Sequence, residues 1–279
     1  SKLSLVSVPL KLSAIFILLW ILLIVFEPFI SINPNTIQLD KILTTPSLGK
    51  AGLHGLLGYD DLGRSIFDRL ISGAKISFLV AFAVASISII IGTFIGVISA
   101  YVGGSWDHGL LRIMDVFMAF PGILLAIALS GLMGPGISNV IIALCVVSWV
   151  GYARLARAQV LAIKQREHVL GAVALGVSHR YILQRHIFPL ILSPLLIEFT
   201  FGIAGLVIAE AGLSFLGLGI QAPDSSWGNM IKNGSQYLLI APHMVIIPGA
   251  ALMMIIFSIN QLGDGIRDYL DPKKQLIME

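Results

Sequence analysis

Ser77–Tyr101 reads SFLVAFAVASISIIIGTFIGVISAY, 25 residues without one charged side chain. An α-helix needs roughly 20 mostly apolar residues to cross the hydrocarbon core of a bilayer, and a barrel strand needs only about 9–11. Barrel strands also alternate apolar and polar residues, which this run does not do. In lipid only helices and closed barrels satisfy every backbone N–H and C=O. The stretch is therefore a transmembrane helix. It sets the class of the chain as all-α and membrane-embedded.

Outward from it, five further runs pass the same length test. They are Leu12 to about Ile30, with Glu27 and Pro28 near its far end; Ile113–Met133, interrupted by Asp115 and Pro121; Asn139–Val160; Leu190–Ala211; and Ala241–Leu262. Composition agrees: 57% of the 279 residues are hydrophobic and 12% charged, against about 25% charged in soluble domains. The expectation is one polytopic protein with six transmembrane helices. The first run is too long for a signal peptide and no small-x-small site follows Phe26, so it reads as an uncleaved anchor. Cys145 is the single cysteine and lies mid-run, which excludes a disulfide framework.

Basic residues orient the spans. With the N-terminus inside, only Lys41, Lys50, Arg64, Arg69, Lys75 and Lys232 of the 18 Lys and Arg fall outside. Both termini are then cytoplasmic. The inward bias accounts for the pI near 9.0 without a nucleic-acid partner. Several chemistries are missing. Gly49-Lys50 has no glycine five residues earlier, so there is no phosphate loop. There is no HExxH, the six histidines are scattered, and Ser214 lacks the second glycine of a nucleophile elbow. No catalytic residue and no metal site is expected.

Between the fourth and fifth spans lies Glu167–Pro189, EHVLGAVALGVSHRYILQRHIFP. It reads as helix, glycine turn, helix, proline, and the topology puts it in the cytoplasm. Arg154, Arg157, Lys164 and Arg166 lead into it. Leu170-Gly171-Ala172-Val173 are small or apolar on an exposed helix, a pattern that suggests a protein partner. Gly176 supplies either a left-handed turn or clearance for another surface. Pro189 suits the first turn of the fifth span. A solvated loop with ordinary turn residues is the plainer reading.

The small pair, three residues, glycine, nine residues and then His186-Ile187-Phe188-Pro189 resembles the cytoplasmic coupling loop of ABC importer permeases. Other segments resemble the peptide-transporter branch of that family, and its C-type subunit in particular. They are Leu57-Gly58-Tyr59-Asp60-Asp61-Leu62-Gly63-Arg64-Ser65; Arg112–Val116 with Phe120-Pro121; Glu210–Gly219 with Ser226-Trp227-Gly228-Asn229; and Gly263–Asp268 with Leu270-Asp271-Pro272. The family loop often begins Glu-Ala-Ala. Here those positions read Leu170-Gly171-Ala172, and Glu167 lies about one helical turn earlier.

The resemblance implies a type I ABC importer permease fold in the bacterial inner membrane. It implies a heterodimer with a homologous permease, two cytoplasmic ATPases that hold the ATP and Mg, and an extracytoplasmic binding protein that delivers a peptide substrate. This chain would bind no cofactor itself. The ATPase-coupling residues would be Glu167, Gly171, Ala172, Leu175, Gly176, Val177, Ser178, His186 and Pro189. The chain would divide into an N-terminal span and outer loop (1–76), a permease core (77–272) with its coupling loop at 160–189, and a tail (273–279). The relatives of this branch carry dipeptides, longer peptides, glutathione, nickel complexes or antimicrobial peptides, so the cargo stays open.

Asp115 and Glu210 read as the charges nearest to membrane depth, and such residues are functional candidates. Asp115 either lines a path or pairs locally with Arg112. Glu210 either lines a path or satisfies backbone donors of the next loop. Ala81, Ala85, Gly92, Gly96 and Ala100 recur mainly at four-residue spacing, which suits close helix packing either within the subunit or against another. Pro121 and Pro248 interrupt spans. Ile66, Phe67, Leu70 and Ile71 suit a helix lying on the outer membrane surface, and Ser214–Ile240 suits a folded outer loop. An ion-coupled transporter would need paired mid-membrane charges or inverted repeats, and neither is evident. A membrane enzyme is opposed by the missing motifs.

Overall fold

The computed structural model describes residues 8–29, 32–47 and 52–270, and among these the regular elements are helical. The α-helices are α1 (Val8–Phe26), α2 (Ile66–Val102), α3 (Gly104–Met118), α4 (Gly122–Met133), α5 (Ile137–Lys164), α6 (Glu167–Ala174), α7 (His179–Ile182), α8 (Phe188–Phe215), α9 (Trp227–Ser235) and α10 (His243–Leu270). The tail 273–279, Asp271-Pro272 and Lys50 lie outside the described residues.

Five spans are single helical runs: α1 with the turn after it, α2, α5, α7 continued into α8, and α10. The pair α3 and α4, which meet at 80°, makes a sixth when counted as one bent span. Pro121 stands at the N-cap of α4 and has no N–H to continue α3. It also steers Phe120 away from helical geometry. What reads in sequence as one interrupted span is a corner.

The apolar residues Ile66–Ile71 do not form a surface helix. They are the first turns of α2, which runs unbroken through residue 76, so a boundary drawn there cuts a helix. Amphipathic spacing is the same for a helix on a membrane and one packed under a loop. Trp227 decides between them. Its indole N–H donates to the Leu70 carbonyl at 2.9 Å, and its ring is fully buried against Trp20 and Phe78. Ser65 caps α2 by accepting from the Asp68 N–H at 3.2 Å.

The segment Gly58–Ser65 is held by Asp60. Its carboxylate accepts from the N–H of Leu62 and of Arg64 and from Arg64 Nε, at 2.9, 2.8 and 2.7 Å. Asp60, Arg64 and Arg69 are all buried, so the charges compensate one another. Burial first, and then the neighbouring Asp60 charge, push the Asp61 carboxyl above its usual range.

The small residues of α2 pack inside this subunit, against α5. A Cβ on Gly92 would strike the Trp149 carbonyl and Tyr152 Cβ, and one on Gly96 would strike the Ala153 carbonyl and Ala156 Cβ. Lipid gives hydrophobic surfaces no reason to associate, so this close backbone approach and its dispersion contacts hold the pair together. Gly96→Leu should force the helices apart. Overpacking of this kind costs about 1–3 kcal/mol, and the purified protein should melt several degrees lower. Gly109→Ala, where an added Cβ meets nothing within 4 Å, should melt no lower than the unmodified chain. Equal melting of Gly96→Leu and the unmodified protein would refute the packing assignment.

Candidate functional site

The loop between α5 and α8 is a built element with its own small core. Val169, Ala172, Ile182 and Ile187 are buried with Ala100, Ala156, Val160, Ile163 and Ile191, from the inner ends of α2, α5 and α8. Ala172, expected on the exposed face, is 8% exposed and part of this core. The helix is amphipathic and places its third apolar position inward. Glu167, Leu170, Gly171, Val173 and Ala174 remain outside, and Leu175 is 85% exposed.

Gly176 ends α6 with φ +73°. The Val177 N–H donates to the Ala172 carbonyl at 3.1 Å and the Gly176 N–H to the Val173 carbonyl at 3.0 Å. This pair of bonds is the Schellman stop, with Val177 packed back onto the small core. An added Cβ would meet nothing within 4 Å, so Gly176 is required here for its backbone angle and not for clearance inside the subunit. Leu175 is thereby held at the tip of the loop.

Ser178 precedes α7 without a side-chain cap, and His179 shares a 2.8 Å hydrogen bond with the Tyr101 hydroxyl. His186 lies beside His168 and Tyr181. Pro189 stands in the first turn of α8, where the sequence reading put it, and α8 follows α7 without a gap. The chain runs from His179 to Phe215 as one element, through a π-turn at Leu183–Ile187. Pro189 cannot donate to the fourth residue back and its ring crowds that carbonyl. The wider turn before it takes up the mismatch, and the Phe188 N–H donates to the Leu183 carbonyl. Two of the basic residues are spent internally. Arg157 forks onto Asp107 at 2.7 and 2.6 Å, and Lys164 donates to the last carbonyls of α2, those of Ala100 and Tyr101, at 3.3 and 3.1 Å.

The two expected path charges stand apart from each other and from any cavity. Glu210 is fully buried, and it accepts from Ser77 Oγ and Ser214 Oγ, both at 2.7 Å. It ties α8 to α2 through hydroxyls rather than through backbone donors of the loop, and it does not reach the cleft described next. Asp115 is exposed on α3 and makes no ion pair with Arg112 within 4 Å.

A cleft of about 290 Å³ opens between α4, α5 and α8. Glu198, Tyr152, Ser148 and the glycines 122, 151, 202 and 205 line it. The sequence reading missed Glu198 although its signal was present: of the two carboxylates in the apolar run Leu190–Ala211, it is the one in the middle and Glu210 the one at the end. It lies ten residues into α8, about 15 Å from the start of the helix at 1.5 Å per residue, and so further from an end of that helix than Glu210 is.

Residues 88–276 match the family described as binding-protein-dependent transport system inner membrane component. The glutathione transport system permease protein GsiD of Escherichia coli O6:K15:H31 is 40% identical over 263 residues, 94% of this chain and 85% of its own. The dipeptide transport system permease protein DppC of Alkalihalophilus pseudofirmus is 39% identical over 216 residues, 77% of this chain and 71% of its own. Among solved structures, a chain of the MetNI methionine ABC transporter in an inward-facing form matches with a TM-score of 0.61. That match covers 73% of this chain and 96% of the other at 19% identity, a likeness of fold. The chain belongs to the binding-protein-dependent transport system inner membrane component family, a multi-pass inner-membrane permease with the type I ABC importer fold.

Glu210→Ala removes the acceptor of two buried hydroxyls, each costing about 1–3 kcal/mol when left unsatisfied. The variant should show a lower thermal midpoint by tryptophan fluorescence, and Glu210→Gln, which keeps an acceptor oxygen, should recover part of it. An unchanged midpoint with lost uptake would instead return Glu210 to the transport path.

Proposed function

We propose that, as a member of this family, the chain is one of two homologous permeases in an ATP-driven importer of di- or oligopeptides. The observation that carries the reading is the loop at 160–189: an element packed on its own small core with an exposed apolar tip, in a chain without a phosphate loop. Its tip residues Leu170, Val173 and Leu175 dock in a groove on an ATPase subunit, and Glu167 stands in the first turn of α6, where a carboxylate suits the helix dipole. Gly171, Ala172, Gly176, Val177, Ser178, His186 and Pro189 shape that element. Two ATPases bind and hydrolyse ATP with Mg, and a binding protein delivers the peptide from outside. The chain itself contributes no cofactor site and no catalysis.

The peptide cargo is supported by the glutathione and dipeptide relatives. The cytoplasmic placement of both termini is supported by the inward bias of Lys and Arg. In this reading 1–76 supplies an anchor and an outer cap, joined by the continuous helix α2 to the working core 77–272, and 273–279 is a cytoplasmic tail. Reconstitution of the chain with its partner permease, ATPases and binding protein in proteoliposomes tests the reading. ATP-dependent peptide uptake is expected only when every component is present. ATP hydrolysis by the purified chain alone would sink it.

Orientation has its own test. In a Cys145→Ser background, a cysteine at Ser47 should react with a membrane-impermeant thiol reagent from outside, and one at Ser178 only from inside. The reverse pattern inverts the topology. Docking is tested at the tip. Gly176→Val imposes a backbone strain on the order of 1–3 kcal/mol, and Leu175→Asp places a charge on the apolar contact. Both variants should reach the membrane at normal levels yet lose most uptake, whereas Ser178→Ala should transport nearly as the unmodified chain does. Ala172→Asp should act differently, by unseating the loop and lowering stability. Full uptake by Leu175→Asp would rule out docking through this tip.

A further inference from the structure

Glu198 has no assigned role in anything described so far, and its position calls for one. It is exposed near the middle of the candidate span His179–Phe215, and a carboxylate within a span is costly unless it faces water, a cation or a partner. Among the described residues no Lys, Arg or His comes within 4 Å of it. Beside it in the cleft is Tyr152, only 4% exposed, whose hydroxyl has no hydrogen-bond partner. A buried hydroxyl gains by pairing, and that of Tyr152 has hydrogen-bonding capacity that no described residue uses. Gly151 and Gly205 add no bulk, and an added Cβ at either would meet nothing within 4 Å. The cleft wall is therefore open backbone with one carboxylate, Glu198, and two hydroxyl side chains, Ser148 and the more deeply set Tyr152.

From this geometry we infer that Glu198 and Tyr152 form the subsite for a primary ammonium group of the cargo, the protonated amino terminus of a small peptide. The inference rests on the importer reading above and names how its substrate is held. A compact ammonium carries three donors. The Glu198 carboxylate takes one as a charge-assisted bond, and the Tyr152 oxygen takes another. A hard divalent cation requires about six oxygen ligands, which one carboxylate and one phenol do not provide. The cleft contains no Lys, Arg or His to receive the peptide's carboxylate. At about 290 Å³ it is also at the lower end of the 300–1,000 Å³ that ligand pockets span. It holds the amino end alone, and the remainder of the peptide extends toward the second permease.

The test uses the full importer in proteoliposomes with alanyl-alanine as cargo. Glu198→Gln should lower the initial uptake rate tenfold or more, with complex assembly and the binding protein's affinity for the dipeptide unchanged. Glu198→Asp should retain a substantial part of the rate, and Tyr152→Phe should lose a few-fold. In a Cys145→Ser background, Glu198→Cys in the assembled complex should react faster with a cationic than with an anionic thiol reagent, and alanyl-alanine should slow that reaction. Unchanged uptake by Glu198→Gln overturns the subsite. So does a Glu198→Gln complex that fails to assemble, which would make Glu198 the ion-pair partner of a cation on the second permease. A Glu198→Cys thiol that no charged reagent reaches would place the residue against lipid and also overturns it. If the unmodified importer takes up no peptide at all, the importer reading fails, and the cargo named here fails with it.

Discussion

The approach of α2 to α5 at Gly92 and Gly96 is the contact on which the rest of the subunit depends. With hydrogen at both positions the backbone of α5 lies directly on α2. This fixes Tyr152 and Ala153 on one side and Ala156 and Val160 one to two turns further in. The outer of these places the back wall of the cleft. Ala156 and Val160, with Ala100 and Ile163, form the floor on which the loop between α5 and α8 sits. A methyl group at either glycine would displace both sites at once, because interiors packed at crystal density have no slack to absorb it.

The outer part is a second rigid body, built on buried polarity instead of small residues. Asp60 and Arg64 close the turn before α2, Trp227 plugs the groove above it, and Glu210 joins α2 to α8 through two serines. These are also the residues that carry much of the resemblance to the peptide-transporter branch. Their roles here are structural, since each bonds to a neighbouring element of the same subunit. A strongly family-like residue and a substrate-touching residue are therefore different things in this chain. Glu210 belongs to the first kind and Glu198 to the proposed second.

The spans were legible in the sequence because length and polarity decide them, and neither depends on tertiary detail. The Gly176 turn was legible because few residues adopt positive φ. Other features turn on distances that a one-dimensional pattern does not hold. The 80° corner at Pro121 could equally have been a mild kink, since a proline removes one hydrogen bond in either case. The outward face of α6 was misjudged at Ala172, because a run of small and apolar residues does not reveal which side meets the bundle. The first turns of α2 look like a surface helix until Trp227, 157 positions away in sequence from Leu70, covers them. Glu198 is the exception. Its signal was local, and attention to charges at helix ends passed over the one in the middle.

The two sites are mechanically joined. The loop rests on the inner ends of α2, α5 and α8, and the cleft is walled by α4, α5 and α8. Force applied at Leu175 passes through Val169 and Ala172 into α5 and α8 together. A close-packed seat transmits such a load as displacement of whole helices rather than as local compression. The ladder along the route is interrupted at the π-turn before Pro189 and again at Pro194 inside α8. In the proposed cycle, closure of the ATPases moves α6 as a lever. The π-turn lets α8 change its angle to that lever, and Glu198, about ten residues further along the same helix, moves with it. A carboxylate that holds the cargo's ammonium group would then be shifted by the event that reorients the path, so release of the peptide would be tied to the ATPase stroke.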